Sequence, residues 1–260
     1  MLNRKKISLV IPCKNEERII ANTIKNVPSY VDEIVVVDNG SSDNSALVAQ
    51  EAGAIVVKEP RKLNGIGYGY AHLSGIQKAT GDYIFGMDAD DTYPSYEIKN
   101  IVDCMENGGF DVVSCNRLPL RNPKAISKLR RLGIYVLNVE IFMLYGYPIK
   151  DSLTGMWGIK RDCLSKLNLR MGDWNLSPEV KISAIMNKDI KFDEYHIDHF
   201  VREKEPSKQA IWKTGWSHFK YIASKRFTED SFLGSLFYKV FVNREWTQPA
   251  FTGKKFMFTL

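Results

Sequence analysis

The chain has 260 residues, 44% of them apolar, and a formal net charge of +6. This length allows a sizeable buried core, and the apolar content is typical of a globular domain, which argues against a disordered or fibrous chain. The positive charge indicates an anionic partner, and nucleic acid, acidic lipid headgroups and phosphorylated small molecules all satisfy it. From Arg117 to Arg131 the chain carries six basic residues and no acid.

The four cysteines lie far apart with no C-x-x-C pair, which predicts free thiols in a reducing compartment. No apolar run approaches the roughly 20 residues of a spanning helix, and the first residues lack the hydrophobic region of a signal peptide. We therefore expect a cytoplasmic chain. The C-terminal composition, described below, predicts a peripheral position on the cytoplasmic face of a membrane.

The first half alternates short Val- and Ile-rich runs with helical patterns. Strands are predicted at 7–11, 33–38, 54–58, 82–87 and 110–115. Helices are predicted at 16–27, 45–52, 68–79 and from Pro94 to about Asn107. Near-continuous apolar strands separated by helices predict a parallel sheet covered on both faces. Ligands bind such sheets at the loops that follow the carboxyl ends of the strands.

The second half predicts a long helix over 126–145, a strand over 155–160, a helix over 177–187 and an alternating strand over 190–201. Past Pro206 the sequence becomes aromatic and basic. The predicted organisation is one α/β domain over residues 1–210 and an aromatic, basic appendage over residues 211–260.

The strongest chemical signal is Met87-Asp88-Ala89-Asp90-Asp91, at the end of a predicted buried strand. Residues two apart in an extended segment point the same way, so Asp88 and Asp90 face one site. Two close carboxylates repel unless a cation lies between them, and Mg²⁺ or Mn²⁺ completed by a diphosphate suits such a pair. An acidic helix N-terminus is the alternative, and it applies better to Asp91 than to Asp88.

Two further loops follow strands at the same edge of the sheet: Pro12 to Glu16, and Asp38 to Asp43. A carboxylate at a strand end can accept hydrogen bonds from a base or from ribose hydroxyls. The turn Asn39-Gly40 lets the chain bend tightly around a ligand. Each loop alone is ordinary, since Asp43 is a good N-cap, but three carboxylate-bearing loops at one edge favour a binding site.

Together these segments resemble the family 2 glycosyltransferases of the GT-A fold, whose signatures are followed in order by Val10–Glu16, Val37–Asp43 and Gly81–Asp91. The resemblance implies an α/β fold with a mixed sheet flanked by helices and with C-terminal amphipathic helices. It also implies a metal, Mg²⁺ or Mn²⁺, held by Asp88 and Asp90. The implied contacts to a nucleotide-sugar donor are Pro12, Lys14, Glu16, Asp38, Gly40, Asp88 and Ala89.

Within that family the chain is most similar to the polyprenyl-phosphate (dolichyl-phosphate) hexose synthases. Asp151-Ser-Leu-Thr-Gly155 resembles their D-x-x-S-G segment, Arg117 their strand-end arginine, and Arg202 with Ser207-Lys208 their R-x-G-x-S-K stretch. The sequence departs from that pattern at Thr154, at Met156-Trp157, and in lacking the glycine after Arg202. The resemblance implies a lipid-phosphate acceptor, held by Arg117, Arg131, Asp151, Ser152, Thr154, Arg202 and Lys208.

A phosphate acceptor is already anionic, so it needs cationic groups rather than a general base. The predicted catalytic residues are Asp88, Asp90, Arg117 and Arg202. The predicted reaction is inverting transfer of one hexose from a UDP- or GDP-sugar to polyprenyl or dolichyl phosphate. Two alternatives stay open: transfer to a saccharide hydroxyl in cell-surface glycan synthesis, and a non-catalytic subunit that binds nucleotide sugars.

The remaining features are weaker. Residues 231–242, with basic neighbours and interleaved tryptophans, suit an interfacial helix on anionic lipid, or aromatics that cover the sheet or form an oligomer contact. A nucleic-acid partner leaves Asp88 and Asp90 unexplained and is not expected. His196 and His199 are expected on opposite faces of a strand. Residues 64–69 depart from G-x-G-x-x-G and predict either a loop over the donor phosphates or a Gly-rich turn. The oligomeric state has no signal in the sequence.

Overall fold

The structure, a computed structural model, describes residues 4–202 and 210–228. In this part of the chain, seven strands form one sheet in the order β3-β2-β1-β4-β6-β5-β7. The strands are β1 (Ile7–Cys13), β2 (Glu33–Asp38), β3 (Ile55–Lys58), β4 (Tyr83–Gly86), β5 (Val112–Asn116), β6 (Trp157–Lys160) and β7 (Phe192–His196). The helices are α1 (Ile20–Lys25), α2 (Ser45–Glu51), α3 (Tyr68–Lys78), α4 (Ile98–Gly108), α5 (Lys128–Tyr145), α6 (Leu164–Leu167), α7 (Leu176–Met186) and α8 (Ile211–Thr228).

Helices cover both faces of the sheet, because alternate side chains of each central strand point to opposite sides. Leu9 and Ile11 of β1 pack in the cluster that contains α1, α2 and α4. Val10, between them, packs in the cluster that contains α3 and α7. The continuous apolar runs of the first half therefore fill two cores, as their lack of alternation predicts.

The sheet is mixed, as the resemblance implies, and a fully parallel sheet, which the alternation of strands and helices predicts, is wrong. Strand β6 lies between β4 and β5 and pairs antiparallel with both. The remaining pairs are parallel. The apolar residues of β6 indicate that it is buried, but they do not indicate its direction. That direction depends on the path of the chain between β5 and β6, which includes α5.

The last predicted strand is shorter than expected. Strand β7 ends at His196, and the chain then runs without regular structure to Arg202. The expectation that His196 and His199 occupy opposite faces of one strand is therefore wrong. Phe200 donates its backbone N–H to the Thr92 carbonyl, 2.9 Å away, which ties this segment to the loop after β4.

Helix α8 packs against α5 and α7. Its Ile222 is fully buried in a cluster with Leu137, Ile141 and Ile182. Of the helices that the structure describes, none is long and apolar enough to cross a membrane. The predicted interfacial segment 231–242 lies outside the described residues.

Candidate active site

A cavity of about 1160 Å³ opens over the carboxyl ends of β1, β4 and β5 and extends between α5 and α8. Its lining includes these predicted site residues: Pro12, Lys14, Glu16, Asp88, Ala89, Asp90, Arg117 and Arg202. We call the part lined by Glu16, Asp88, Asp90, Arg117 and Arg202 the charged end. Segments far apart in sequence meet here because parallel strands end at one edge of the sheet.

Asp88 lies at the base of the charged end. Its carboxylate accepts a hydrogen bond from the Tyr68 hydroxyl, with 2.9 Å between the oxygens. Gly155 packs so closely that a Cβ there would lie 2.7 Å from Asp88 Oδ2. Burial, and then the charge of Asp90, raise the pKa of Asp88 to about 7. The two carboxylates are thus close enough to repel each other, as their spacing in the sequence predicts.

Asp90 and Glu16 share one arginine. Arg202 places Nη1 3.2 Å from Asp90 Oδ2 and Nη2 2.8 Å from Glu16 Oε1. The Thr92 hydroxyl donates to Asp90 Oδ1 at 2.6 Å. Arg202 is thereby held between the loop after β1 and the loop after β4. Asp91 has a separate structural role, since it accepts hydrogen bonds from the side chains of Asn22 and Asn26 on and just after α1.

Arg117 follows β5 and forms a bidentate pair with Asp151. Its Nε and Nη2 lie 2.7 and 3.0 Å from the two carboxylate oxygens. Burial opposes the charge of Arg117, but the charge of the fully buried Asp151, together with Tyr93 and the hydrogen bonds to Asp151, outweighs it and raises the pKa of Arg117. The Arg117 Nη1 also donates to the Tyr93 hydroxyl at 3.2 Å. Asp151 thus holds Arg117 at the cavity wall without lining the cavity itself.

Several predicted contacts lie away from the cavity lining: Asp38, Gly40, Arg131, Asp151, Ser152 and Thr154. Asp38 turns back to accept from the Ser41 N–H at 3.0 Å, and Gly40 adopts φ +70° in the turn that follows. The Thr154 carbonyl accepts from the buried amine of Lys181 at 3.0 Å. Lys208 lies outside the described residues. The roles predicted for these residues stay predictions.

Other residues at the cavity carried no strong signal in the sequence. Asn39, next to Asp38, lines the cavity, and Arg130 lines it where Arg131 does not. Burial and the nearby charges of Arg117 and Arg202 lower the pKa of Arg130. The Tyr68 hydroxyl donates to Asp88, and the Tyr93 hydroxyl accepts from Arg117. Ser127, inside the basic run, is the N-cap of α5 and accepts from the Arg130 N–H, so it marks the helix start from which the positions of Arg130 and Arg131 could have been distinguished.

Asp88 and Asp90 fit a divalent cation by their donor chemistry. Within residues 4–202 and 210–228, no cluster of three or more His, Cys, Asp or Glu side chains could hold a metal ion. Mg²⁺ commonly binds through one or two carboxylates and substrate phosphates, so a pair suffices for a metal that enters with a diphosphate. Burial, and then the charge of Asp90, raise the pKa of Asp88, and a bound cation would offset both by favouring the carboxylate form.

The other part of the cavity, between the two long helices, is apolar, and we call it the apolar mouth. Helix α5 contributes Leu129, Leu132 and Val136, and helix α8 contributes Trp212, Trp216 and Phe219. These side chains are exposed, Trp212 by 78% and Leu132 by 58%. Large exposed apolar side chains grouped at one opening mark a binding surface rather than ordinary surface composition.

The mixed sheet with paired aspartates after its fourth strand defines a GT-A fold. The chain belongs to glycosyl transferase family 2, whose model matches residues 8–167. In fold it is similar to glucosyl-3-phosphoglycerate synthase from Mycobacterium tuberculosis, solved with Mn²⁺, UDP and glucosyl-3-phosphoglycerate. That match has a TM-score of 0.65 at 19% identity and covers 85% of this chain and 80% of that one.

Two curated relatives are archaeal. The chain is 30% identical over 223 residues to the low-salt glycan biosynthesis hexosyltransferase Agl6 of Haloferax volcanii, a match that covers 83% of this chain and 52% of Agl6. It thus spans about half the length of that relative. It is 27% identical over 210 residues to a UDP-N-acetylglucosamine–dolichyl-phosphate N-acetylglucosaminyltransferase of Methanococcus voltae, covering 71% of this chain and 82% of the relative.

Proposed function

We propose that this protein is a metal-dependent, inverting glycosyltransferase that moves a hexose from a nucleotide sugar to polyprenyl or dolichyl phosphate. One observation carries the proposal: a single cavity joins a charged end, with paired aspartates and arginines, to an apolar mouth between two helices. A lipid phosphate has the same two parts, an anionic head and an apolar chain. A soluble saccharide acceptor would have no use for the apolar mouth.

The nucleotide sugar belongs at the charged end. Pro12, Lys14, Glu16 and Asn39 line the cavity beside Asp88 and Asp90. When bound at Asp88 and Asp90, Mg²⁺ or Mn²⁺ would offset the charge that develops on the departing nucleoside diphosphate. Tyr68, through its hydrogen bond to Asp88, orients one of these carboxylates before the donor arrives.

The phosphate of the acceptor belongs beside the arginines. Arg117, Arg130 and Arg202 line the cavity between the paired aspartates and the apolar mouth. Guanidinium groups bind phosphate with directed hydrogen bonds and offset its repulsion from the donor diphosphate. Among the described residues, the carboxylates that line the cavity are Glu16, Asp88 and Asp90, all at the charged end. A phosphate oxygen attacks the anomeric carbon without a general base, which agrees with this distribution.

The exposed rows of α5 and α8 support attachment to a membrane surface. Besides the apolar mouth, α5 exposes Val139, Phe142 and Met143, the last by 75%. An amphipathic surface of this kind lies in the interfacial region of a bilayer, where a polyprenyl phosphate is available. Co-sedimentation with vesicles of anionic phospholipid tests the attachment, and recovery of the protein in the lipid-free fraction would contradict it.

A transfer assay tests the function. The protein is incubated with Mn²⁺ or Mg²⁺, a short polyprenyl phosphate, and UDP-glucose, UDP-N-acetylglucosamine or GDP-mannose in parallel. We expect lipid-linked sugar from one of the donors and none without metal. Metal-dependent hydrolysis of a donor with no lipid product would overturn the lipid-phosphate acceptor and favour a saccharide hydroxyl instead.

Two matched valines on α5 test the apolar mouth. Val136 and Val139 are both exposed, but Val136 lines the cavity and Val139 does not. In detergent, Val136→Glu should raise the KM for the lipid phosphate about tenfold or more, because a carboxylate would lie along the apolar chain. The KM for the donor should stay unchanged. Equal effects of Val136→Glu and Val139→Glu on the acceptor KM would remove the apolar mouth from the acceptor site.

A further inference from the structure

A chain of polar side chains connects α8 to residues 64–69, which comprise a glycine-containing loop and the first two residues of α3. Its centre is Asn175, at the start of α7. The Asn175 Nδ2 donates to Ser217 Oγ on α8 at 3.0 Å and to Asp173 Oδ2 at 3.1 Å. The Asn175 Oδ1 lies 2.9 Å from His218 Nδ1, also on α8. Asp173 Oδ2 in turn accepts from the Asn64 side chain at 3.2 Å.

The centre of this chain is buried and fully paired. Asn175 is 0% exposed, and His218 and Asp173 are nearly as buried. Both Asn175 amide protons are directed to acceptors, so its oxygen must accept from His218. Burial, and then the charge of Lys181, lower the pKa of His218 to about 4, so its ring is neutral and carries a proton on Nδ1. Removing one of these partners would leave a buried polar group without a hydrogen bond, which destabilises the folded protein. Asn175 therefore holds α8 and Asp173 together.

The loop end of the chain reaches Asp88. Trp174, between Asp173 and Asn175, packs its ring 4.4 Å from the ring of Tyr68. The Tyr70 N–H donates to the Gly172 carbonyl at 3.1 Å, so the two segments also meet through the backbone. Tyr68 then donates its hydroxyl to Asp88 Oδ1. Two contacts, from the Trp174 ring and the Gly172 carbonyl, therefore set the position of Tyr68 from the segment next to Asn175.

The other end of the chain is the inner face of a helix whose outer side chains line the apolar mouth. Ser217 and His218 directly follow Trp216 on α8; Trp216, His218 and Phe219 line the cavity, and Ser217 does not. A displacement of α8 that breaks these contacts would leave the buried Asn175 amide without its partners on α8, and Asn175 also bonds Asp173, next to Trp174. Helix α8 and Asp88 are thus joined through Asn175 and Asp173, neither of which lines the cavity.

We propose that Asn175 is a positioning residue that couples the seating of helix α8 to the position of Tyr68 and Asp88. The consequence of this coupling rests on the proposed function: the affinity for the donor nucleotide depends on Asn175, although this residue does not line the cavity. Asn175 acts through Asp173 and Trp174. Its side-chain chemistry, rather than its bulk, is what the coupling requires.

An exchange of two neighbouring side chains tests that requirement. Asn175→Asp places a carboxylate beside Asp173 and removes both amide donors. In the double variant Asp173→Asn, Asn175→Asp, residue 175 still accepts from His218 and can accept from the Ser217 hydroxyl, which accepts from Asn175 in the wild type, and residue 173 supplies an amide donor. Asn187→Asp, the same change at the other end of α7, is the matched control. Ser217→Ala is a milder variant, changed on α8 only.

Two measurements are made on each variant. Hydrogen exchange of the amides of residues 64–70 is followed in the ligand-free protein, and the affinities for UDP and GDP with Mn²⁺ are measured by calorimetry. In Asn175→Asp we expect faster exchange of this loop and nucleotide affinity weaker by about tenfold or more. Ser217→Ala should give the same changes at smaller size. The double variant should recover at least part of both, and Asn187→Asp should match the wild type.

The outcomes separate the coupling from the proposed function. Loop exchange in Asn175→Asp and Ser217→Ala equal to that of the wild type would overturn the coupling, whichever nucleotide binds. Faster exchange with unchanged nucleotide affinity would overturn the connection to Asp88. A wild-type protein that binds neither nucleotide, while its variants still show faster loop exchange, would support the coupling and overturn the proposed donor site.

Discussion

Gly155→Ala is expected to disable the donor site by displacing one carboxylate. The backbone conformation of Gly155 does not itself require glycine, but a Cβ there would lie 2.7, 2.8 and 2.9 Å from Oδ2, Oδ1 and Cγ of Asp88. Neither side can yield easily. The Gly155 N–H donates to the Tyr93 hydroxyl at 2.8 Å, and Asp88 is held by the Tyr68 hydroxyl. The added methyl must therefore push Asp88 away from Gly155, toward the cavity.

The size of the effect follows from the overlap. Forcing an extra carbon into a filled site typically costs about 1–3 kcal/mol. If that cost falls on the complex with donor, kcat/KM for the donor decreases roughly 5- to 150-fold, at about 1.4 kcal/mol for each factor of ten. If the cost falls on the free protein instead, the midpoint of thermal unfolding should decrease by about 2–12 °C, at about 2–4 °C per kcal/mol for a chain of this size.

Initial rates at varied donor concentration measure the decrease, and a thermal melt reports the fold. Gly133→Ala on α5 is the matched control, because a Cβ there meets nothing within 4 Å. The control should retain its donor kcat/KM and unfold at an equal or higher temperature, since alanine favours a helix over glycine. A Gly155→Ala protein with the wild-type donor kcat/KM would refute the close packing of Gly155 on Asp88.

Three further outcomes test other parts of the site. Asp90→Asn should reduce turnover at least about a hundredfold while a thermal melt stays close to that of the wild type; unchanged turnover would remove the predicted metal site. Asp151→Asn leaves the Arg117 guanidinium buried without its counter-charge and should cost about 3–5 kcal/mol in urea unfolding, whereas Asp198→Asn, in an exposed pair, should cost less than about 1 kcal/mol. Burial lowers the pKa of Lys181 from 10.5 to about 8, so between these values the unfolded chain holds a proton that the folded protein lacks. The free energy of unfolding should therefore rise with pH in that window relative to Lys181→Met, and parallel curves for the two proteins would contradict the lowered pKa.

The charged end could be predicted from the sequence because its signals are local. Each of its loops directly follows a strand, and strands are visible as Val- and Ile-rich runs. Once the strands are parallel, the loops after β1 and β4 must share an edge. The approach of Asp88 and Asp90 follows from the same reasoning, because residues two apart in an extended segment face one side.

The rest depends on contacts that a single sequence does not display. Arg130 lines the cavity and Arg131 does not; on a helix one position turns a side chain by about 100°, so a shift of one residue in the helix phase decides which of the two arginines faces the cavity. Asp38 was expected at the nucleotide, but it accepts from the N–H of Ser41 in its own turn, while Asn39 lines the cavity. Both outcomes are determined by local turn and helix geometry that side-chain chemistry alone does not specify.

On the proposed function, one cavity accepts two anionic substrates, and the pairing of the arginines bears on how it does so. Arg117 is held by Asp151, and Arg202 by Glu16 and Asp90, so neither guanidinium is a buried charge without a partner. Asp151 does not line the cavity, and its bidentate pair with Arg117 fixes the arginine side chain in one orientation. Arg202 instead shares carboxylates that line the cavity. On the proposed function, Arg117 is therefore the pre-oriented phosphate ligand, and Arg202 is the one whose partners change when donor and metal bind.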